Sequence, residues 1–247
     1  MKLFNLKNRK LILKRTILLA FIPAMLLLSG CLNDDDNSVV PDVPAAFVSM
    51  YHTAPSAPAL DILLDNRRLN SRAFTYSDFN YLAYLRFYTG ERELKFTPYN
   101  NSNTLLDTAF TFEADEFYSV FLINEDDELN AWVIEDELPD VDQGKAMVRI
   151  VHVAPDVEGI NLTKDEDESA LFSEVAFKNA SEYKSIDAES VSFSVTSSED
   201  DSELATVSNY KFSAGNYYTI VVKGYATPPT GNNNELSVQI IRNTLYY

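Results

Sequence analysis

An internal repeat constrains this chain more than any other feature of its sequence. Residues 48–56 read VSMYHTAPS and residues 148–156 read VRIVHVAPD, at an offset of 100 residues. The chain has two histidines, His52 and His152, and both stand at the same place in this phrase. A duplicated segment of this kind indicates two copies of one structural unit.

The offset recurs near the other end of each copy. FEADEFYSVFL at 112–122 matches FSAGNYYTIVV at 212–222, with Phe, Ala and Tyr at equivalent places. Copies of this length are large enough to be domains. We therefore predict one domain at 46–138 and a second at 146–247. The polar stretch at 139–145 would be the linker between them.

Each copy has the pattern of short β-strands. In AMVRIVH, Val148, Ile150 and His152 share one face of a strand, while Met147, Arg149 and Val151 share the other. Runs rich in Val, Ile, Phe, Tyr and Thr alternate with turn-prone stretches such as YNNSN and PPTGNNN. The further expected strands are 60–64, 93–97, 108–112, 117–123 and 131–135 in the first copy, and 191–195, 209–213, 217–225 and 236–242 in the second. This spacing predicts an all-β chain with two tandem immunoglobulin-like β-sandwich domains.

The amino terminus has the layout of a secretory signal. Residues 1–15 are basic, residues 16–28 are apolar apart from Thr16, and small residues follow. The apolar stretch is shorter than the roughly 20 residues that a membrane-spanning helix needs. We therefore predict a cleaved signal peptide at 1–30 and an acidic tether, with two prolines, at 31–45.

Leu28-Ser29-Gly30-Cys31 resembles the lipobox of bacterial lipoproteins. The resemblance implies cleavage before Cys31, a diacylglyceryl thioether on its sulfur and an acyl group on its new amine. Several acyl chains together anchor a protein stably to a membrane. Leu32 after the cysteine resembles the signal for sorting to the outer membrane, whereas NDDDN at 33–37 resembles a surface-export tag. We expect a lipid-anchored protein of the bacterial cell envelope, at the outer membrane.

Cysteine content and charge exclude several classes. Cys31 is the only cysteine, so the chain can form no intramolecular disulfide and the predicted domains contain no thiol for catalysis or zinc. After residue 30 the chain has 14 basic and all 37 acidic residues, a formal charge of −23. That charge disfavours nucleic acid and peripheral docking on anionic lipid.

The repeated histidines have two interpretations. His52 and His152 could be ligands or catalytic bases, or they could bond a loop carbonyl at the end of a buried strand and hold the following turn. A residue that recurs at the period of the fold favours the structural role, which is our prediction.

Other candidate chemistry is sparse. The sequence has no G-x-S-x-G, H-E-x-x-H, P-loop or G-x-G-x-x-G motif, and we expect neither an enzyme nor a cofactor. Asp165 and Asp167 lie in an acidic loop that could bind calcium, although Ala170 and Ala176 exclude an EF-hand. The aromatic run at 79–88 could offer rings to a sugar or could be core and rim.

Both copies resemble a domain-of-unknown-function family that is repeated in bacterial envelope lipoproteins. The resemblance rests on two motifs. The first is an opening strand that ends in His before Ala, Pro and Asp, seen in AFVSMYHTAPSAPALDILLD and AMVRIVHVAPDVEGINL. The second is a closing strand with the pattern small-Gly-x-x-Tyr-Thr, seen in AGNYYTIVVKG. The first copy departs from it, with Ser56 where the second has Asp156 and Asp115 where the second has Gly215. The resemblance implies fold and location but no activity.

The sequence therefore predicts a lipid-anchored envelope protein with two non-catalytic modules. Their expected role is structural or the binding of an envelope protein or polysaccharide. One alternative is a calcium-dependent adhesion or carbohydrate-binding module, which the acidic loops motivate. The other is a hydrolase of envelope polymers, which would need two facing carboxylates in a cleft.

Overall fold

The computed structural model describes residues 43–79, 84–165, 167 and 169–243. The predicted signal peptide, Cys31 and most of the tether lie outside these residues. Regular structure in the described residues consists of seventeen strands without a helix. The prediction of an all-β chain is therefore confirmed. No described helix is long and apolar enough to cross a membrane.

The strands divide into an earlier and a later group. The earlier group is β1 (Ala45–His52), β2 (Leu60–Leu64), β3 (Arg67–Arg68), β4 (Leu85–Tyr88), β5 (Gly90–Pro98), β6 (Leu106–Phe112), β7 (Phe117–Glu125) and β8 (Glu128–Glu135). The later group is β9 (Lys145–His152), β10 (Gly159–Lys164), β11 (Ala170–Ala176), β12 (Asn179–Ala180), β13 (Lys184–Asp187), β14 (Ser190–Ser197), β15 (Glu203–Lys211), β16 (Tyr217–Lys223) and β17 (Ser237–Asn243). Each group forms two sheets.

Sandwich 1 is the pair of sheets formed by β1 to β8. Sheet I has the strand order β4-β1-β7-β8, and sheet II has the order β3-β2-β5-β6. Their facing sides meet in one apolar core that includes Val48 and Val120 from sheet I and Leu60 and Phe96 from sheet II. Burial of these alternate residues is the main favourable term in holding the sheets together.

Sandwich 2 repeats this plan with β9 to β17. Sheet III has the order β12-β9-β16-β17, with β13 also paired to β9, and sheet IV has the order β11-β10-β14-β15. The first strand lies parallel to the penultimate one in both sandwiches, and the register is equivalent: Val48 lies opposite Tyr118, and Val148 opposite Tyr218. The fold therefore preserves the offset of 100 residues seen in the sequence.

Sheets I and III are covered on both faces. In β9 every residue from Ala146 to His152 is buried, although only alternate side chains can face the core of sandwich 2. Of the side chains on the other face, Val151 belongs to a separate apolar cluster together with Tyr51 and Phe121 of sheet I. Continuous burial in a strand indicates a sheet packed on both sides. The two sandwiches therefore pack sheet I against sheet III.

Candidate functional site

Both histidines are fully buried at the ends of their strands. His152 donates from Nε2 to the Val157 carbonyl over 2.9 Å, and its Nδ1 accepts from the Ala154 amide over 3.4 Å. His52 donates from Nε2 to the Pro58 carbonyl over 3.2 Å. In both sandwiches the ring thus spans the turn that follows the strand. These partners assign the proton of each neutral ring to Nε2.

Burial opposes the charged form of both rings. Desolvation lowers the pKa of His152 to about 4, although the bond to Val157 and the charge of Asp156 act in the opposite direction. Desolvation also lowers the pKa of His52. Both rings are therefore neutral at pH 7. A structural role for the two histidines stays a prediction.

The acidic loop after β10 does not gather a metal site among the described residues. Asp165 and Asp167 lie there, and Asp167 approaches Lys164 at 3.8 Å. No group of three His, Cys, Asp or Glu side chains that could hold a metal ion occurs in the described part of the chain. Glu166 and Glu168 lie outside it.

The described rings of the aromatic run at 79–88 do not form one surface. Phe87 belongs to the core of sandwich 1, and Tyr84 donates to the buried Asp136 carboxylate over 2.8 Å. Tyr88 is 62% exposed. These three rings lie at different places in the fold and do not present a common binding face. Tyr81 lies outside the described residues.

An apolar cluster forms the centre of the junction between the sandwiches. It contains aromatic and branched side chains from the outer faces of sheets I and III, namely Tyr51, Phe121, Ile123, Val151, Val153, Val221 and Ile241. Tyr51 stacks on Phe121 with ring centroids 4.6 Å apart, and Trp132 packs beside Phe121 at 5.9 Å. Interfaces between domains that are this apolar and buried restrict the domains' relative motion.

A buried ion pair crosses the same junction. Arg149 of β9 lies 2.6 Å from Asp136, which follows β8, and their side chains are 3% and 0% exposed. Arg149 also donates to the hydroxyls of Ser119 and Thr219 over 3.0 and 3.1 Å. Both charges therefore have several partners, as buried charges need.

Polar neighbours extend this pair into a network. The Ser119 hydroxyl donates to the Asp136 carboxylate over 2.7 Å, and the Thr219 hydroxyl donates to the side-chain Oδ1 of Asn243 over 2.8 Å. Asn243 in turn donates to the Tyr51 hydroxyl over 3.2 Å. Burial alone would lower the pKa of Arg149, but the Asp136 carboxylate raises it, so the guanidinium remains charged.

Lys223 is a second buried cation at the junction. Its Nζ donates to the Ser77 hydroxyl of sandwich 1 over 2.8 Å and lies 4.5 Å from the centroid of the Tyr76 ring. Burial lowers the pKa of Lys223 to about 8. On the nearby loop after β16, Asn234 and Asn232 donate to the Pro55 carbonyl over 2.6 and 2.9 Å. Polar contacts thus surround the apolar cluster.

A cleft opens to solvent beside the buried ion pair. It has a volume of about 530 Å³ and is walled by the end of β8 with the following segment and by the turn between β12 and β13. Arg149 and Tyr183 line its inner end, and Glu135, Glu137 and Glu182 line its sides. Ligand sites occur preferentially at such junctions between domains. This cleft is the candidate functional site.

Comparisons with known proteins bear on fold and family. Residues 46–163 match the family model described as a domain of unknown function, DUF4397. The match spans sandwich 1, the linker and the first two strands of sandwich 2. It supports the expected resemblance to a family of unknown function. No curated protein matches the chain.

Among solved structures, the chain is similar to a carbohydrate-binding module of family CBM26 from Eubacterium rectale Amy13K, solved with maltoheptaose. The identity is 9%, the alignment covers 78% of this chain and 96% of that chain, and the TM-score is 0.27. A superposition at this score carries no argument about the ligand of this chain.

Sequence reasoning found the histidines but missed the cleft. Arg149 stands between apolar residues in VRIV, on the strand face opposite the one that holds Val148. Nothing in that pattern indicates what covers the Arg149 face. Asp136 lies among the acids at 135–142 and resembles its solvated neighbours in sequence. A charged residue inside an otherwise apolar strand was the one available signal.

Proposed function

We propose that this chain is a lipid-anchored envelope protein that binds an envelope polysaccharide or protein without catalysing a reaction. The cleft between the sandwiches is the proposed contact site. The observation that carries this proposal is the position of the cleft beside a buried junction held by an apolar cluster and an ion pair. A rigid junction fixes the shape of the cleft before binding, which lowers the entropic cost of recognition.

The chemistry of the cleft restricts the ligand. Glu135, Glu137 and Glu182 give its sides a negative potential, which disfavours anionic polymers. The ring of Tyr183 supplies an apolar wall, and the Ser181 side chain supplies a polar one. Hydroxyl-rich uncharged sugars and basic protein segments both fit such a surface, because carboxylates accept hydrogen bonds from either.

Chemical cross-linking in intact cells, followed by purification of the lipidated protein, tests this function. We expect a reproducible glycan or protein partner with the wild type. Glu137→Ala with Glu182→Ala should reduce its recovery. Glu128→Ala with Glu203→Ala removes two exposed acids elsewhere and serves as the charge-matched control. Equal recovery with both double variants would move the contact away from the cleft, and no partner at all would contradict the proposed function.

The anchor has a separate test. Cys31→Ser removes the predicted lipidation site, so the protein should lose labelling by a fatty-acid analogue and leave the membrane fraction. Ser29→Thr keeps the cysteine and a small neighbouring residue and serves as the control. Continued membrane association of Cys31→Ser would contradict lipid anchoring but would leave the proposed binding function to be judged by the cross-linking result.

A further inference from the structure

A second cavity lies inside sandwich 1, away from the junction cleft. Its volume is about 280 Å³. Met50 and Leu85 of sheet I line it on one side, and Ile62 of sheet II lines it on the other. The loop at 69–74 completes the wall. Phe79 also lines it. The cavity is therefore an open gap between the two sheets, and its walls are mainly apolar, with Asn70, Ser71 and Arg72 as the polar part.

Sandwich 2 has an aromatic ring at the equivalent place. Leu69 donates its amide to the Ile62 carbonyl over 2.8 Å, and Phe172 pairs with Leu162, which stands 100 residues after Ile62. Leu69 and Phe172 are thus equivalent in the two copies. Leu69 is 38% exposed, whereas Phe172 is 3% exposed and part of the core.

The opposite wall confirms this equivalence. Leu85 lies opposite Val48 in sheet I, and Lys184 lies opposite Val148 in sheet III, so Leu85 and Lys184 correspond. Leu85 lines the cavity, and the Lys184 ammonium lies 4.9 Å from the centroid of the Phe172 ring. The Phe172 ring thus occupies in sandwich 2 the space that is open in sandwich 1.

A longer loop accounts for the gap. Leu69 and Phe74 face Ile62 and Leu60 and are separated by residues 70–73, whereas Phe172 and Val175 are separated by only residues 173–174. The Asn70 side chain fixes the longer loop, because it accepts from the Ile62 amide and donates to the Leu60 and Arg72 carbonyls over 2.8, 3.0 and 2.7 Å. The loop is therefore held in place by these bonds and leaves the cavity open.

We propose that this cavity is a binding site for a small aromatic molecule of one ring or two fused rings. The fold accommodates a phenyl ring at the same place in sandwich 2, so the shape and apolar character of the space suit such a ring. An apolar cavity of about 150 Å³ is sufficient to bind benzene in another protein. The site is independent of the junction cleft and goes beyond the function proposed above.

Indole is a suitable probe for the full-length folded protein. We expect saturable binding in ligand-observed NMR and a rise in melting temperature with indole concentration. Leu69→Phe places the ring of sandwich 2 in the cavity and should remove the binding. Ala73→Phe fills the same cavity from the loop and gives an independent test if Leu69→Phe does not fold.

Phe172→Leu is the reciprocal variant. It should open a space in sandwich 2 and add a second, weaker indole site, because the shorter loop there covers part of the gap. Two results would overturn the proposal. One is the absence of saturable indole binding by folded wild-type protein at millimolar concentration. The other is unchanged binding in both folded cavity-filling variants.

Discussion

The two sandwiches share their central strand pairing and their histidine turns, and they differ in charge on the faces where they meet. The parallel pairing of β1 with β7 recurs between β9 and β16 in the same register, and each histidine bonds the carbonyl of the turn that follows it. On the outer faces the equivalent positions have diverged. Ser49 corresponds to Arg149, and Asp136 corresponds to Asn243.

This divergence makes the junction directional. The second copy supplies the guanidinium and the first supplies the carboxylate, so the buried pair forms only between unlike faces. In the same geometry, two copies of the sheet III face would bring Arg149 against Asn243, and two copies of the sheet I face would bring Asp136 against Ser49. A buried charge without its counter-ion is costly, which favours the pairing of sandwich 1 with sandwich 2.

The largest expected effect comes from making the second copy resemble the first at the junction. Arg149→Ser leaves Asp136 buried without its ion pair and should lower the free energy of unfolding by about 3–5 kcal/mol. Chemical denaturation of the full chain measures this loss. Asp136→Asn in the same protein removes the uncompensated charge and should recover part of the stability.

Lys145→Ala is the control for that experiment. Lys145 pairs with Asp187 at 2.8 Å on the surface, with side chains 38% and 69% exposed. Exposed pairs contribute little, so the expected change is below about 1 kcal/mol. Similar losses for Lys145→Ala and Arg149→Ser would show that burial does not distinguish the two pairs and would contradict the directional junction.

The contrast between inner and outer faces also explains what the sequence could predict. The inner faces leave a local pattern in the sequence, namely alternating apolar residues and repeated His and Pro positions. The all-β class and strands such as β7 and β14 were therefore predictable. The sequence analysis missed β3, β4 and the strands β10 to β13, because short and partly polar strands such as Asn179–Ala180 have little pattern of their own. The junction was missed because contact between distant surfaces leaves no periodic signal in one sequence.

The next prediction tests whether the two histidines have the same role. The folded pKa of His152 is about 4 and that of an unfolded histidine is about 6.5. Below pH 6.5 the unfolded chain takes up the proton first, so the contribution of His152 is complete above that pH. It should decline by about 3 kcal/mol as the pH falls to 4. His52 should act in the same direction, because burial also lowers its pKa.

Glutamine at these positions keeps an amide donor near the turn carbonyl and removes the titration. His152→Gln and His52→Gln should each flatten the fall in stability between pH 6.5 and 4, measured by urea denaturation at several pH values. The wild type and the variants have the same carboxylates. The titration of these carboxylates therefore cancels when the free energies of unfolding of wild type and variant are subtracted at each pH. Lost partner binding with an unchanged pH profile and melting temperature would instead assign the histidines a binding role.

A smaller effect is expected where the repeated motif itself differs. Asp156 accepts from the Ala226 and Thr227 amides over 2.9 and 2.7 Å, whereas Ser56 bonds the Tyr225 hydroxyl over 2.7 Å. Asp156→Ser should therefore cost about 1–2 kcal/mol in thermal or urea unfolding. Ser56→Asp should bring no gain, because the shorter serine side chain already bonds the Tyr225 hydroxyl and a longer one would have to rearrange that contact. A stabilising Ser56→Asp would mean that the two turns are interchangeable.

The smallest effect on stability is expected at the turn before β7 and at its equivalent before β16. Asp115 has φ of 65° and Gly215 has φ of 74°, a region that costs a residue with a side chain more than it costs glycine. No atom lies within 4 Å of a Cβ built on Gly215, so only the backbone conformation opposes a side chain there. Gly215→Asp should therefore cost about 0.5–1 kcal/mol, and Asp115→Gly should gain at most a similar amount. The effects of the two changes on the free energy of unfolding should nearly cancel in the double variant, because the changes exchange one backbone cost between equivalent turns.

Urea denaturation of the double variant checks this expectation. A large loss of stability would mean that Asp115 has a role in sandwich 1 that the glycine of sandwich 2 does not share.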